Sequence, residues 1–197
     1  MEKGGLADSL AREGVTSGTA FGFADEMRVG LRGMVRRVWG RRGVKVVQRV
    51  QMVYRWAYLF LVVDVQRGKL LWSWIDSMKS ESIAAAVNGL KRHSDIAALV
   101  WDGARGHRAE LVEDVGLTTI VQPPYSPELN PAERVFQEVR RWVEGKVYES
   151  VEEKMEAVDS YLRELESDPR RVRSLTAWNW INHSTQSLPA SYAASLA

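Results

Sequence analysis

The sequence predicts an α/β domain with a mixed sheet of about five strands flanked by helices. Short β-rich runs come first along the chain, and segments with helical periodicity then alternate with strands. The chain has 197 residues, which is long enough for one domain with a full core. Apolar residues make up 45% and charged residues 26% of the chain, which excludes a largely disordered or collagen-like protein.

The first part of the chain is predicted to form an antiparallel meander. Strand patterns cover residues 21–24, 44–54, 58–65 and 70–75, and a Gln-Arg-Gly-Lys turn signal precedes the last of them. The run 58–65 is apolar on both faces, which is typical of a central strand. Residues 1–18 carry several glycines and mixed charges, so we expect a linker or a disordered segment there.

Helices and strands alternate in the second part. The predicted helices cover 77–93, 105–115, 131–146 and 151–166, with strands at 96–101 and 118–121. Such βα units imply parallel pairing, and a meander followed by βα units is the order expected of a ribonuclease H-like fold, here over residues 19–182. Residues 183–197 are small and polar, which predicts a loose C-terminal tail.

Composition excludes several classes of protein. The apolar run at residues 57–63 falls far short of the ~20 residues of a membrane-spanning helix, so no membrane partner is expected. The N-terminus lacks the apolar stretch of a secretory signal, and the chain has no cysteine for disulfides, thiolate metal sites or a thiol nucleophile. We therefore expect a cytoplasmic protein.

Positive charge is concentrated in one segment. The net charge is only +2, yet residues 28–55 contain nine Lys or Arg and no Asp or Glu. Charge runs are usually solvated faces, but so many cations without an acid repel one another strongly, and the phosphate backbone of DNA is their natural partner. The candidate DNA contacts in this segment are Arg36, Arg37, Arg41, Arg42 and Lys45.

Three acidic residues are predicted to lie where strands end or helices begin. Asp25 follows the first strand, Asp102 follows the strand 96–101, and Glu133 opens the helix that starts at Pro131. Open α/β sheets place ligand sites at such strand ends. Converging carboxylates repel each other unless cations bridge them, and their oxygens suit Mg²⁺ or Mn²⁺. Two ions ~3.5–4 Å apart would clamp the attacking and leaving oxygens of a phosphodiester displacement.

Each acid also has a structural explanation. Asp25 can be a strand-end acid facing water, with Glu26 as an alternative ligand. Asp102 precedes a glycine and can be a turn residue. Glu133 can belong to a capping-box variant in which Asn130 is the N-cap of the helix.

Aromatic residues and one histidine leave similar alternatives. His107 can contact a phosphate or a metal-bound water, or it can lie at a helix terminus. Aromatic side chains on the predicted strands can stack on extruded bases, although alternating strand aromatics more often form core or cross-strand pairs. These aromatic residues are Tyr54, Trp56, Tyr58, Trp72 and Trp74.

Four motifs carry a resemblance to a known family. Residues 101–107 read WDGARGH and residues 122–136 read QPPYSPELNPAERVF, while FADE at 23–26 and WGRRG at 39–43 lie upstream. Together they resemble the catalytic domain of bacterial insertion-sequence transposases of the Tc/mariner superfamily. The resemblance extends from about residue 19 to about residue 180.

The resemblance implies a DDE-type recombinase that uses Mg²⁺ or Mn²⁺, as two ions, to cut DNA at transposon ends and join the freed 3′-hydroxyl to target DNA. Asp25, Asp102 and Glu133 match the catalytic triad and would hold the metal ions. The loop residues expected to position the third acid are Tyr125, Asn130 and Pro131, and His107 and Arg108 are further candidate DNA contacts.

The resemblance also raises expectations about partners. Family members carry an N-terminal helix-turn-helix region, for which residues 1–18 leave no room. The chain is then half of a split element, a truncated copy or a catalytic fragment, and a separate helix-turn-helix chain is one source of DNA recognition. A nucleoid-associated homodimer fits the need to process two ends together. The alternatives are another ribonuclease H-like nuclease and a non-catalytic DNA-binding remnant that regulates a full-length transposase.

Overall fold

A five-stranded mixed sheet forms the centre of the computed structural model, which describes residues 5–33, 39–47, 49–108 and 110–190. The strands are β1 (Phe21–Gly30), β2 (Trp56–Asp64), β3 (Lys69–Ile75), β4 (Ala98–Trp101) and β5 (Thr118–Val121). The helices are α1 (Gly5–Arg12), α2 (Ser80–His93), α3 (Glu110–Glu113), α4 (Pro131–Val143), α5 (Val151–Glu166), α6 (Pro169–Thr176) and α7 (Asn179–Gln186). Short 3-10 helices cover Arg105–Arg108 and Pro127–Leu129.

The strand order in the sheet is β3-β2-β1-β4-β5. The first three strands pair antiparallel, whereas β4 pairs parallel with both β1 and β5. The antiparallel pairing of β2 and β3 follows from the short turn between them, whereas β1 and β2 are joined by the longer segment 31–55. The parallel part needs the crossover helices that the sequence pattern predicts. The prediction of a ribonuclease H-like α/β fold is confirmed.

Side chains alternate between the two faces of the sheet along each strand, and both faces are buried. On one face Phe23 and Met27 of β1 pack in a core with Val135 and Phe136 of α4. On the other face Ala24 packs in a second core with residues of α2, such as Val87. The strand β2 lies between β3 and β1 and is buried from Leu59 to Asp64, which agrees with its prediction as a central strand.

The two ends of the described chain are more ordered than predicted. Residues 5–12 form α1 rather than a linker, because Leu6 and Leu10 lie on one face of a helix and are buried in the main core with Val15. The partner of α1 is α7, which includes residues 183–186 of the predicted loose tail, and Leu188 beyond it is also buried. Residues 191–197 lie outside the described residues.

Other differences concern the ends of the strands. The first strand extends to Gly30 and pairs with β2 along its length. No strand forms in the described residues of the range 44–54, where Val47 and Met52 are exposed. The hydrogen bond from the Gly33 N–H to the Gln51 carbonyl oxygen, at 2.9 Å, does not extend into a ladder there, so the alternating pattern is not stabilised as a strand. Helix 105–115 is replaced by a 3-10 helix and the short α3. Within the described ranges, none of the helices has the length and apolar character needed to span a membrane.

The burial of α1 makes a prediction about stability. Replacing the fully buried Leu10 by alanine should lower the free energy of unfolding by about 2–5 kcal/mol, because it removes apolar contacts and leaves a cavity. Urea unfolding followed by circular dichroism measures this change. Glu13→Ala, at an exposed position just after α1, is the control and should change the unfolding free energy little. Equal stability of the two variants would contradict the packing of α1 in the core.

Candidate active site

The fold brings Asp25, Asp102 and Glu133 to one cavity of about 540 Å³. The parallel pairing of β1 with β4 ends at Phe23 and Val100, so Asp25 lies on β1 just beyond it, and Asp102 directly follows β4. Glu133 lies in the first turn of α4, which packs on β1. Asp25 is therefore inside β1 and not after the first strand, but the three predicted acids face the same space.

Asn130 joins the start of α4 to β1. Its side-chain oxygen accepts a hydrogen bond from the Ala132 backbone N–H at 3.0 Å, as the predicted N-cap does. Its side-chain amide donates to the Ala24 carbonyl oxygen at 2.9 Å and lies 3.4 Å from Oδ2 of Asp25. Pro131 begins the helix, where its missing N–H costs nothing. Asn130 and Pro131 thus place the first turn of α4, with Glu133, beside Asp25.

Tyr125 does not make the predicted positioning contact. Its side chain is 100% exposed, so it packs against none of the described residues. Its backbone has φ of 57°, a left-handed conformation that is uncommon outside glycine, and this turns the proline-rich loop at the mouth of the cavity. The contribution of Tyr125 to the loop is therefore its backbone turn.

Asp25 is in an unfavourable environment for a negative charge. Burial, together with the nearby charges of Glu26, Glu133 and Asp102, raises the pKa of Asp25 to about 7, against one hydrogen bond from the Glu26 backbone N–H at 2.8 Å that lowers it. Like charges and desolvation both disfavour a carboxylate. A cation in the cavity would relieve both effects.

His107 is a buried partner of two acidic residues and not a surface DNA contact as predicted. Its ring stacks on Trp101 with a centroid distance of 4.2 Å, while Nε2 lies 3.1 Å from Oε2 of Glu26 and Nδ1 lies 2.7 Å from Oδ1 of Asp102. Burial alone lowers the pKa of His107, but the hydrogen bond and charge of Glu26 raise it to about 9. Arg108 ends the neighbouring 3-10 helix, and its side chain lies outside the described structure.

The two outer acids of the cavity each have a partner. Asp102 is held by His107, and Oε2 of Glu133 lies 3.5 Å from Nη1 of Arg140. Consistent with these pairs, no three His, Asp or Glu side chains among the described residues are grouped as a metal-binding cluster. The available donors around the cavity are carboxylate oxygens, which are the ligands that Mg²⁺ and Mn²⁺ prefer.

The remaining candidate residues fall into three groups. Arg41, Arg42 and Lys45 are exposed on the segment between β1 and β2. Arg36 and Arg37 lie outside the described residues. The indole N–H groups of Trp72 and Trp74 both donate to Oδ1 of Asp159 on α5, at 2.9 and 3.0 Å, so these two aromatic residues have a structural role.

Arg140 is the site residue that the sequence reasoning missed, and Glu26 has a different place from the alternative metal ligand expected of it. The Glu26 side chain is buried against His107. The alternation of side chains along β1 is a signal for this, because it places Glu26 on the opposite face from Asp25. The seven-residue spacing between Glu133 and Arg140 on α4 is a signal for their contact, because residues two turns apart share a helix face.

The environment of Asp25 makes a prediction about pH and stability. The pKa of Asp25 is 3.8 in its ordinary state and about 7 in the fold, so the folded protein binds the extra proton between these values and loses stability as the pH rises through them. Asp25→Asn removes this loss. The variant should have a higher Tm than the parent protein at about pH 8, with the difference shrinking toward about pH 4.

Thermal unfolding followed by circular dichroism at a series of pH values measures this difference. Asp114→Asn, at an exposed acid, is the matched control and should follow the parent protein at every pH. A Tm for Asp25→Asn that lies below the parent value at high pH would show that the Asp25 carboxylate is not in the unfavourable environment described.

Comparison with known proteins agrees with this geometry. A family model described as DDE superfamily endonuclease matches residues 21–154, an interval that contains all three acids. The uncharacterized protein y4pE/y4sA of Sinorhizobium fredii (strain NBRC 101917 / NGR234) is 26% identical over 134 residues, which are 66% of this chain and 99% of that protein.

Solved structures show the same fold. The Mos1 mariner paired end complex with Mn matches with a TM-score of 0.65 at 14% identity, over 92% of this chain and 57% of that chain. The catalytic domain of Mos1 mariner transposase matches with a TM-score of 0.56 at 13% identity, over 92% of this chain and 85% of that domain. The chain spans somewhat more than half the length of the transposase in the first complex. With a family match over more than half its length, the chain belongs to the DDE superfamily endonuclease family.

Proposed function

We propose that the chain is the catalytic domain of a transposase, which cuts DNA strands at transposon ends and joins the freed 3′-hydroxyl to target DNA. The observation that carries the proposal is the meeting of Asp25, Asp102 and Glu133 at one cavity in a DDE superfamily endonuclease. The similarity to structures described as a Mos1 paired end complex and a Mos1 Strand Transfer Complex supports transposition over simple hydrolysis.

Asp25, Asp102 and Glu133 are the residues that would hold two divalent cations, Mg²⁺ or Mn²⁺. When bound, such cations stabilise the charge on the phosphate and on the attacking and leaving oxygens. The oxygen donors and the unfavourable environment of Asp25 fit this group, since positive charge in the cavity returns the pKa of Asp25 toward its ordinary value. Mos1 structures with Mg and with Mn are among the similar structures.

The protein residues around the acids have distinct tasks in this proposal. Asp25, central among the three acids, would share in holding the cations, and Asn130 fixes the backbone of its neighbour Ala24 and the start of α4. His107 holds Asp102 at the end of β4 through contacts with both its carboxylate and its backbone carbonyl. Arg140 balances the charge of Glu133 at the cavity.

DNA is the proposed partner, and the segment between β1 and β2 supplies contacts to its phosphates. Arg41, Arg42 and Lys45 are exposed there, and Arg36 and Arg37 of the same segment join them in the proposal. Recognition of the ends by a separate helix-turn-helix chain, and pairing of two copies to hold two ends, belong to the same proposal. An enzyme with this substrate works at the nucleoid.

The test of the proposed function is nicking of supercoiled plasmid by the purified protein with Mg²⁺, Mn²⁺ or EDTA. Nicking should require the metal and should fall about 100-fold or more in Asp25→Ala, Asp102→Ala and Glu133→Ala, because each change removes a metal ligand. Asp114→Ala, at an exposed acid away from the cavity, should nick at the parent rate.

Two further readouts separate the alternatives. Joined products made from an oligonucleotide with a free 3′-hydroxyl indicate a transposase, whereas nicks without joining indicate another ribonuclease H-like nuclease. DNA binding that weakens with salt, without any metal-dependent nicking, indicates a non-catalytic remnant. Nicking that persists in Asp102→Ala contradicts the assigned site.

A further inference from the structure

A second cavity, of about 840 Å³, lies where the segment between β1 and β2 leaves the sheet. It is bordered by the end of β1, the start of β2 and the last turns of α4. We call it the arginine groove. Its arginine and aromatic lining residues are Arg28, Arg32, Tyr54, Arg55, Trp56 and Arg140.

The arginine groove carries a surplus of positive charge. Four arginines line it, and Glu144 is the one acid among its described lining residues. Glu144 is already paired with the buried Lys154, whose Nζ lies 3.3 Å from Oε1. Arg140 is paired with Glu133 outside the groove, so the guanidinium groups of Arg28, Arg32 and Arg55 are the ones left without a lining carboxylate that could balance them, and an anionic ligand is the complementary occupant.

Two exposed aromatic rings in the groove are paired with arginines. The guanidinium carbon of Arg32 lies 5.0 Å from the centroid of the Tyr54 ring, and that of Arg28 lies 5.6 Å from the centroid of the Trp56 ring. Tyr54 is 62% exposed and Trp56 is 49% exposed, whereas Trp72 and Trp74 are half-buried and hydrogen-bonded to Asp159. Planar rings next to guanidinium groups are the surface on which proteins stack unpaired bases while binding the phosphates between them.

The groove begins beside the candidate active site. Arg140 lines the groove, and its Nη1 is 3.5 Å from Oε2 of Glu133 at the cavity of the three acids. A strand of DNA whose phosphate lies at the acids can therefore continue past Arg140 toward Arg28 and Trp56 without leaving a positively charged surface.

From these observations we infer that the arginine groove binds the DNA strand next to the phosphate that is cut. Its arginines bind the backbone phosphates, and Trp56 and Tyr54 stack on unpaired bases. The inference rests on the proposed function, because DNA is the substrate of that function. It adds a binding site for single-stranded DNA that the three acids alone do not provide.

The test compares the affinity of the full chain for an oligothymidine and for a blunt duplex of equal length, by fluorescence anisotropy in EDTA to prevent cutting. Trp56→Ala should weaken binding of the single strand roughly 5-fold to 100-fold, because it removes a stacking surface, and should affect the duplex less. Trp56→Phe should restore most of the affinity, since a ring is retained. Trp142→Ala is the matched control, because Trp142 is also exposed and lies beside a cation, Lys146, but does not line the groove.

The salt dependence of binding separates the roles of the arginines and the rings. Arg32→Gln should reduce the slope of log affinity against log salt for the single strand by about 0.7, since one phosphate contact is lost, whereas Trp56→Ala should leave the slope unchanged. Arg32→Gln also provides an independent test if Trp56→Ala proves unstable. A 2-aminopurine base in the oligonucleotide should be quenched by the parent protein and less so by Trp56→Ala.

Three results would overturn the inference. Single-strand affinity that is unchanged in both Trp56→Ala and Arg32→Gln shows that the groove does not bind DNA. An equal loss for single strand and duplex shows that it does not select unpaired bases. A change of oligomeric state in Trp56→Ala at constant DNA affinity shows that the groove holds a second copy of the chain. If the parent protein nicks DNA with metal, each of these results leaves the proposed function intact, whereas a parent that neither binds nor nicks DNA contradicts the proposed function itself.

Discussion

The side chain of Asn130 holds the two halves of the candidate active site together. Its oxygen caps α4 and its amide donates to the Ala24 carbonyl oxygen on β1, so one buried group fixes both the helix with Glu133 and the strand with Asp25. Leaving a buried amide without hydrogen-bond partners costs free energy, so these contacts favour one position of α4 against β1. Because β1 continues past the end of its pairing with β4, Asn130 also lies at the cavity that Asp102 lines.

Two of the three acids at the site have a basic partner among the described residues, and Asp25 does not. Buried His107 lies between Glu26 and Asp102, and Arg140 lies beside Glu133, whereas the donors to Asp25 among the described residues are a backbone N–H and the amide of Asn130. Burial and the neighbouring acids raise the pKa of this central carboxylate. Divalent cations bound among the three acids would supply the charge that the protein omits. The arginine groove extends the positive surface from Arg140 away from the acids.

Local signals predicted most of the fold, and the missed parts depend on distant contacts. The strand 118–121 and the helix 151–166 form as predicted, because Gly116 precedes the first and Ser150 caps the second with a hydrogen bond from the Glu153 N–H at 3.1 Å. Helix α1 was missed because its two buried leucines are too few to define a period and gain their burial against the other end of the chain. The three acids were found from motif and position, but the burial of His107 depends on Glu26, which the strand pairing brings near it.

The most direct test of the metal site is cleavage of the polypeptide by Fe²⁺ bound in place of Mg²⁺, with ascorbate and hydrogen peroxide and no DNA present. Hydroxyl radicals form at the iron and cut the backbone near its ligands, so the cut positions map the site without relying on catalysis. We expect cuts near Asp25, Asp102 and Glu133 that excess Mg²⁺ suppresses and that Asp25→Asn abolishes. Cuts elsewhere in the chain, or cuts near these residues that persist in Asp25→Asn, would contradict it.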